Sequence, residues 1–114
     1  MAPDLTKLTH DLREAIAAGQ QAASGLPDEG TCNFDSLFIS TGKGRQFGRK
    51  SKKLEAAIER SGASCFHTGS GWRKGYVISI GVPAQGYPRT KGHETARKLL
   101  ESRGWQVSMW YQMD

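Results

Sequence analysis

The fold of this chain is decided by residues 63–82, which read ASCFHTGSGWRKGYVISIGV. Two runs rich in β-branched and aromatic residues, 63–68 and 72–82, flank the triplet Gly69-Ser70-Gly71. Because glycine tolerates positive φ, this triplet suits a tight turn between antiparallel strands. Pro83 ends the second run, since proline has no N–H to donate to a ladder. The stretch therefore predicts a β-hairpin.

A strand and a helix precede the hairpin, and a helix and a strand follow it. Residues 33–41, NFDSLFIST, predict the first strand, and residues 51–60 predict the helix after it. Beyond the hairpin, Thr90 is a suitable N-cap for a helix that ends at Gly104, and residues 105–112 predict the last strand. The predicted order is therefore β-α-β-β-α-β.

This order is the split β-α-β pattern, and it resembles ferredoxin-like domains. The resemblance implies an α+β fold whose four-stranded antiparallel sheet carries both helices on one face, because crossover connections are right-handed. Alternation along the strands predicts that the helices cover Leu37, Ile39, Ile78, Ile80, Val107 and Met109. On the same grounds, the open face shows Phe38, Ser40, Val77, Ser79, Ser108 and Trp110.

An additional helix is predicted before this pattern. Asp4 is a natural N-cap, Gly25 and Pro27 end the helix, and the apolar positions recur at helical spacing at Leu5, Leu8, Leu12 and Ile16. We expect residues 1–26 to form this helix and a linker, and residues 27–114 to form the α+β domain of one compact unit. The apolar stripe has to be buried, and three places are open to it: the open sheet face, the sheet edge, or a second chain in a homodimer.

The positive charge of the chain is concentrated after its first 30 residues. The formal net charge of the 114 residues is +5. Residues 1–30 contain two basic and five acidic residues, whereas residues 31–114 contain fourteen basic and six acidic residues. Such an asymmetry favours nucleic acid, another polyanion or an acidic protein surface as the partner.

The strongest local feature is the segment 42–53, GKGRQFGRKSKK, which contains no acid. Its basic residues are Lys43, Arg45, Arg49, Lys50, Lys52 and Lys53. The segment connects a predicted strand to a predicted helix, where glycine-rich backbone turns its amides toward an anion and the helix dipole adds positive potential. We expect a site for phosphates here, extended by Arg73 and Lys74 of the hairpin. Binding of an acidic protein surface and a merely solvated loop are the other interpretations.

Two short segments resemble the RNA recognition motif. Leu37-Phe38-Ile39 is similar to the start of that family's first-strand motif, and Lys74-Gly75-Tyr76 is similar to the opening of its third-strand motif. Val77 and Ile78 depart from the family pattern, which has a small residue and an aromatic residue there. The resemblance implies stacking of bases on Phe38, Tyr76 or Trp110. The alternative is that these aromatic side chains belong to the core or lie beneath the N-terminal helix.

Residues 30–35, GTCNFD, resemble a segment of short proteins from phages and plasmids. The resemblance implies no activity and no site residues, but small proteins from such genomes often block host machinery. Two hypotheses follow. The first is a non-enzymatic binding module that uses the basic glycine-rich loop on nucleic acid or a phosphate-rich surface. The second is a phage-derived protein–protein inhibitor of a host defence complex, of the anti-CRISPR or anti-restriction type.

The two cysteines and the hydropathy pattern indicate a cytoplasmic protein. Cys32 and Cys65 do not form a C-x-x-C pair, and we expect both to be free thiols in a reducing compartment. The N-terminal segment has the pattern of an amphipathic helix rather than of a signal peptide. No apolar run approaches the roughly 18 residues that a membrane span requires.

The sequence predicts neither catalysis nor a metal or other cofactor. The three histidines, His10, His67 and His93, are scattered, and we expect none to lie at metal spacing with a cysteine or carboxylate. His93 is expected to cap a helix or to be solvated. The loop nearly matches the nucleotide P-loop, but it has an extra arginine between glycine and lysine. An enzyme would require Asp35, Cys32 and a histidine to meet in one pocket.

Overall fold

The computed structural model describes residues 3–27, 35–42, 44–48, 50–69, 74–82 and 86–111. Within these residues the chain forms three helices and four strands. They are α1 (Leu5–Ala23), β1 (Ser36–Ser40), α2 (Lys52–Arg60), β2 (Ser64–Thr68), β3 (Gly75–Ser79), α3 (Tyr87–Ser102) and β4 (Ser108–Trp110). The strands form one sheet in the order β2-β3-β1-β4, and each neighbouring pair is antiparallel. The predicted α+β class and four-stranded antiparallel sheet are confirmed.

The register of the strands places the predicted residues on the predicted faces. Leu37 lies opposite Ile78 on one side and Met109 on the other, while Phe38 lies opposite Val77 and Ser108. Side chains alternate between faces along a strand, so these two rows face opposite ways. The row that contains Leu37 joins the hydrophobic core together with residues of all three helices. This face is the helix-covered face, and the other is the open face.

The position of α1 differs from all three of the predicted places. Helix α1 packs in the helix layer of its own chain, against both α3 and α2. Its buried stripe joins the same core as the helix-covered face of the sheet, through Leu8, Leu12, Ala15 and Ile16. Hydrogen bonds fix the helix at both ends: Thr9 Oγ1 donates to the carbonyl of Ala57, and Gln20 Nε2 donates to the carbonyl of Ile80.

Glycine explains why α1 fits against α3. A Cβ atom at Gly19 would lie 2.5 Å from the carbonyl oxygen of Gly92, and a Cβ atom at Gly92 would lie 3.0 Å from the carbonyl oxygen of Gly19. Two side chains at this crossing would keep the helices apart. The absence of a Cβ on both therefore lets the backbones come into contact, a feature that the apolar stripe of α1 does not reveal.

The helix N-termini agree with the sequence in two cases and disagree in one. Asp4 caps α1 by accepting from the amides of Thr6 and Lys7, and Ser51 caps α2 by accepting from the amide of Leu54. Helix α3 was predicted to begin after Thr90, but it begins one turn earlier. Its N-cap is Gly86, at a φ of 70°, and Pro88 lies in its first turn. Proline suits that turn because an amide there has no intrahelical partner.

Contrary to the prediction, His93 neither caps α3 nor is solvated; its side chain is fully buried. The amide of Ile80 donates to His93 Nε2 over 3.2 Å, and His93 Nδ1 lies 2.9 Å from the carbonyl oxygen of Arg89. Because Nε2 accepts, Nδ1 carries the proton and the ring is neutral. Burial, the largest effect, lowers the pKa of His93 from its ordinary 6.5 to about 4. The ring connects α3 to the end of β3.

We predict that acid destabilises the fold through His93. The folded-state pKa is depressed, so the stabilisation is complete above pH 6.5 and is lost as the pH falls toward about 4. Denaturant unfolding should show the free energy of unfolding decreasing by about 2 kcal/mol between pH 7 and pH 5. In His93→Gln, which does not titrate, the decrease over this range should be much smaller. An equal decrease in both proteins contradicts the prediction.

Candidate functional site

The structure exposes every predicted basic residue that it describes. Lys43, Arg49 and Arg73 lie outside the described residues. The other five have exposed side chains and are called the basic surface below: Arg45, Lys50, Lys52, Lys53 and Lys74.

The loop that carries Arg45 is fixed to the core. The side chain of Phe47 is 2% exposed, and its ring stacks on Trp105 with the centroids 5.8 Å apart. Gln46 Nε2 donates to the carbonyl of Gly104, and Gln46 Oε1 accepts from the amide of Gln106. These contacts hold the backbone in one place, so that Arg45 is presented from a fixed turn. They are not predicted from the sequence, although Phe47 is an apolar residue in an otherwise polar loop.

Lys74 of the hairpin adjoins the basic loop, a point that the sequence left open. The amide of Thr41, at the start of the loop, donates to the carbonyl of Lys74. Lys50 and Lys74 both lie close enough to His67 for their charges to change its pKa. Burial lowers the pKa of His67, and the positive charges of these two lysines lower it further.

The charges of the basic surface are not neutralised by described carboxylates. The ion pairs of the described residues all lie elsewhere, on α1, α3 and the turn after α3. In addition, Lys52 and Lys53 occupy the first turn of α2, where the helix dipole is positive and a cation is unfavourable, and the single acid in this turn, Glu55, offsets only part of their charge. This arrangement costs stability in the free protein. A bound anion would remove that cost.

Two buried polar atoms lie beside these cations without a hydrogen-bond partner in the described structure. They are Thr41 Oγ1, in a residue that is 5% exposed, and His67 Nε2. Leaving a buried polar atom unpaired costs about 1–3 kcal/mol. Both residues are close to Lys74, Thr41 through its backbone hydrogen bond and His67 through its charge effect.

The three predicted stacking residues differ in the face on which they lie and in their exposure. Tyr76 is fully buried on the helix-covered face, where its hydroxyl donates to Glu55, so it is a core residue and has no accessible ring face. Phe38 faces the open side, but it is 7% exposed because its ring leans over Gly75 and packs on Trp110, with centroids 5.1 Å apart. Trp110 is half-buried.

The open face has an accessible aromatic residue that was not predicted as a stacking residue. Phe66 of β2 lies opposite Val77 on the open face and is 58% exposed. Its place beside Val77 depends on the pairing of β2 with β3. Period-2 alternation in β2 assigns Phe66 to a face, but only the register identifies its neighbours.

The described groups do not form a catalytic pair. Cys32 lies outside the described residues. Burial, assisted by the carboxylates of Glu59 and Glu55, raises the pKa of the Cys65 thiol to about 11, so the thiolate is scarce at neutral pH. Asp35 lies near His93, but both ring nitrogens of His93 are already occupied.

The prediction that no histidine lies at metal spacing with a cysteine or carboxylate is wrong for His10. Its ring nitrogen and the oxygens of Asp11 and Glu14 are within 4.8 Å of one another, as neighbouring turns of α1 bring them together. Both carboxylates already accept hydrogen bonds from Arg103, and Asp11 accepts two more. These partners account for the cluster as a structural ion-pair network.

Comparison with known proteins gives no relative. No protein-family model, no curated protein and no solved structure matches the chain significantly. Among the described residues, no helix combines the length and the hydropathy needed to cross a bilayer. Function has to be inferred from the geometry of the site.

Proposed function

We propose that this protein is a non-enzymatic module that binds nucleic acid through its phosphates, using the basic surface. The observation that carries the proposal is the exposure of five cations, from the loop, α2 and the hairpin, none of them paired with a described carboxylate. Lysine and arginine at a helix N-terminus are suited to phosphate oxygens. Such contacts provide affinity with little sequence specificity.

The electrostatic cost of the free state supports the same proposal. The like charges repel, Lys52 and Lys53 oppose the dipole of α2, and the polar atoms of Thr41 and His67 are unpaired. A phosphate backbone relieves the first two costs by neutralising the cations. The rigid attachment of the loop through Phe47 lowers the entropy lost on binding.

We also propose a ferredoxin-like topology for the sheet with α2 and α3. The support is that the strand order, taken from the β4 edge, is β4-β1-β3-β2, with β3 inserted between β1 and β2. A split β-α-β arrangement has this insertion. In this topology the loop between β1 and α2 and the hairpin between β2 and β3 lie at one end of the sheet, which places Lys50 near Lys74.

Salt dependence of binding tests the proposal. Single-stranded DNA of about 12 nucleotides, labelled for fluorescence anisotropy, should bind the full chain at low salt. The logarithm of the association constant should fall linearly with the logarithm of the salt concentration. For five contacts on single strands the slope is about −3.5.

Two results count against the proposal. One is the absence of binding at about 50 mM salt, where phosphate contacts are strongest. The other is a partner captured from bacterial lysate that is retained after nuclease treatment, which favours an acidic protein surface and hence the inhibitor hypothesis.

A further inference from the structure

The open face of the sheet contains a cavity that the basic surface does not include. Its volume is about 310 Å³, at the lower end of the range for ligand pockets. The residues used below are Ser36, Ser64, Phe66, Val77, Ser79 and Arg89, all of which line it. The cavity therefore combines an apolar surface, from one aromatic and one aliphatic side chain, with serine hydroxyls and a guanidinium group.

Two nitrogens of the Arg89 guanidinium group, Nε and Nη2, donate hydrogen bonds that fix the group at this cavity. Nε donates to the carbonyl of Asp35 over 2.8 Å, and Nη2 donates to Ser36 Oγ over 3.1 Å. Nη2 also lies 3.5 Å from Ser79 Oγ, whereas no described residue accepts from Nη1. The group thus has a fixed orientation and unused donors at a cavity wall.

The charge balance favours a neutral ligand. The carboxylate of Asp35 lies near Arg89 and partly offsets its positive charge, while it accepts a hydrogen bond from Thr90. Asp35 does not line the cavity, but its negative charge would repel a phosphate bound to Arg89. A neutral ring with carbonyl oxygens would accept from Nη1 and from serine hydroxyls without this repulsion.

We propose that this cavity binds a nucleobase of a single strand, which stacks on Phe66 and presents its carbonyl edge to Arg89. The proposal rests on the proposed function, since the phosphates of the same strand lie on the basic surface. The cavity begins at the row of Ser36, and the basic loop begins at Thr41, five residues further along the same direction. At the rise of a β-strand this is about 17 Å, a span that a short oligonucleotide covers.

Binding of bases and binding of phosphates can be measured separately with two probes of equal length, about 12 units each. The probes are oligothymidylate and an abasic deoxyribose-phosphate chain. The native protein should bind oligothymidylate about tenfold more tightly than the abasic chain, since only oligothymidylate has bases that can stack on an aromatic ring. Phe66→Ala should lose this preference and leave the salt slope and abasic binding unchanged. Because Phe66 is mostly exposed, the variant should fold, as circular dichroism will check.

Two further variants are the controls. Phe66→Tyr keeps a stacking ring and should keep the preference. Tyr111→Ala removes a similarly exposed aromatic side chain that contacts Glu94 of α3, and it should behave as the native protein.

The outcomes separate this inference from the proposed function. If Phe66→Ala retains the preference for oligothymidylate, or if the native protein has none, the nucleobase site is wrong while salt-dependent binding of both probes still supports the basic surface. If neither probe binds at low salt, the proposed function fails and the nucleobase site fails with it.

Discussion

Replacing Arg45, Lys50, Lys52 and Lys53 together with glutamine is expected to weaken binding of single-stranded DNA by about two to three orders of magnitude at 0.1 M salt. Each phosphate contact on a single strand contributes about 0.7 to the slope of log K against log salt, so four lost contacts reduce the slope by about 2.8. All four side chains are exposed, and none pairs with a described carboxylate. The fold should therefore be retained, and anisotropy titrations at several salt concentrations measure both quantities.

The matched control removes the same number of charges elsewhere. Its four substitutions to glutamine are at Arg13, Arg60, Lys91 and Lys98, on α1, the end of α2 and α3. This variant changes the net charge equally but leaves the basic surface intact, so we expect a small change in affinity and a nearly native slope. Equal losses in the two variants would mean that net charge alone, rather than the basic surface, governs binding.

The second large effect concerns stability and a buried carboxylate. The side chain of Asp11 in α1 is 3% exposed. It accepts hydrogen bonds from Lys7 Nζ at 2.8 Å, Arg103 Nη1 at 2.7 Å and Trp105 Nε1 at 2.8 Å. Burial by itself raises the pKa of Asp11, but these three hydrogen bonds outweigh it and lower the pKa to about 2. One carboxylate thus joins α1 to the segment that follows α3.

Asp11→Ala is expected to lower the free energy of unfolding by about 3 kcal/mol at pH 7, because it leaves the buried indole N–H of Trp105 without its acceptor and removes one acceptor each from Lys7 and Arg103. The melting temperature should fall by about 12 °C or more. A domain of this size has a total stability of about 5–15 kcal/mol, so the loss is a large fraction. Denaturant and thermal unfolding measure it.

The pH dependence of the stability difference between the native protein and Asp11→Ala identifies the cause of the loss. The pKa of Asp11 is depressed in the folded state, so its stabilisation is present above its ordinary pKa of 3.8 and is lost as the pH falls through about 2. The difference between native protein and Asp11→Ala should therefore shrink over this range. A difference that is independent of pH would point to packing rather than to the ionised carboxylate. Gln21→Ala, a change at an exposed position of the same helix, is the control.

Local patterns predicted the order of the strands and helices and the faces of β1 and β3, but not the length of β4, which spans Ser108–Trp110 rather than 105–112. The alternation in β1 and β3 correctly separated Leu37, Ile39 and Ile78 from Phe38 and Val77, and the cap Asp4 was identified by its side chain. The predicted first residue of α3 was wrong, because the helix is preceded by Gly86 at a positive φ, and no side-chain pattern in the sequence indicates this conformation.

The candidate site could be predicted only in part. The basic residues of the loop and hairpin are visible in the sequence, since charge is a property of each residue. The closeness of Lys50 and Lys74 to His67, the burial of Tyr76 and the exposure of Phe66 are not, since they depend on which strands pair and on where the helices pack. The cavity of Arg89 joins the beginning of α3 to β1, residues that are far apart in the chain.

By itself the sequence determined the α+β class, the two faces of the sheet and the concentration of positive charge in residues 42–53, because periodicity and charge are local properties. Only the tertiary structure decided where α1 packs, that His93 is buried and neutral, and that Phe66 and Arg89 line the same cavity. These depend on contacts between distant segments, such as the approach of Gly19 to Gly92, and such contacts are selected by the packing of the whole chain rather than by any one stretch of it.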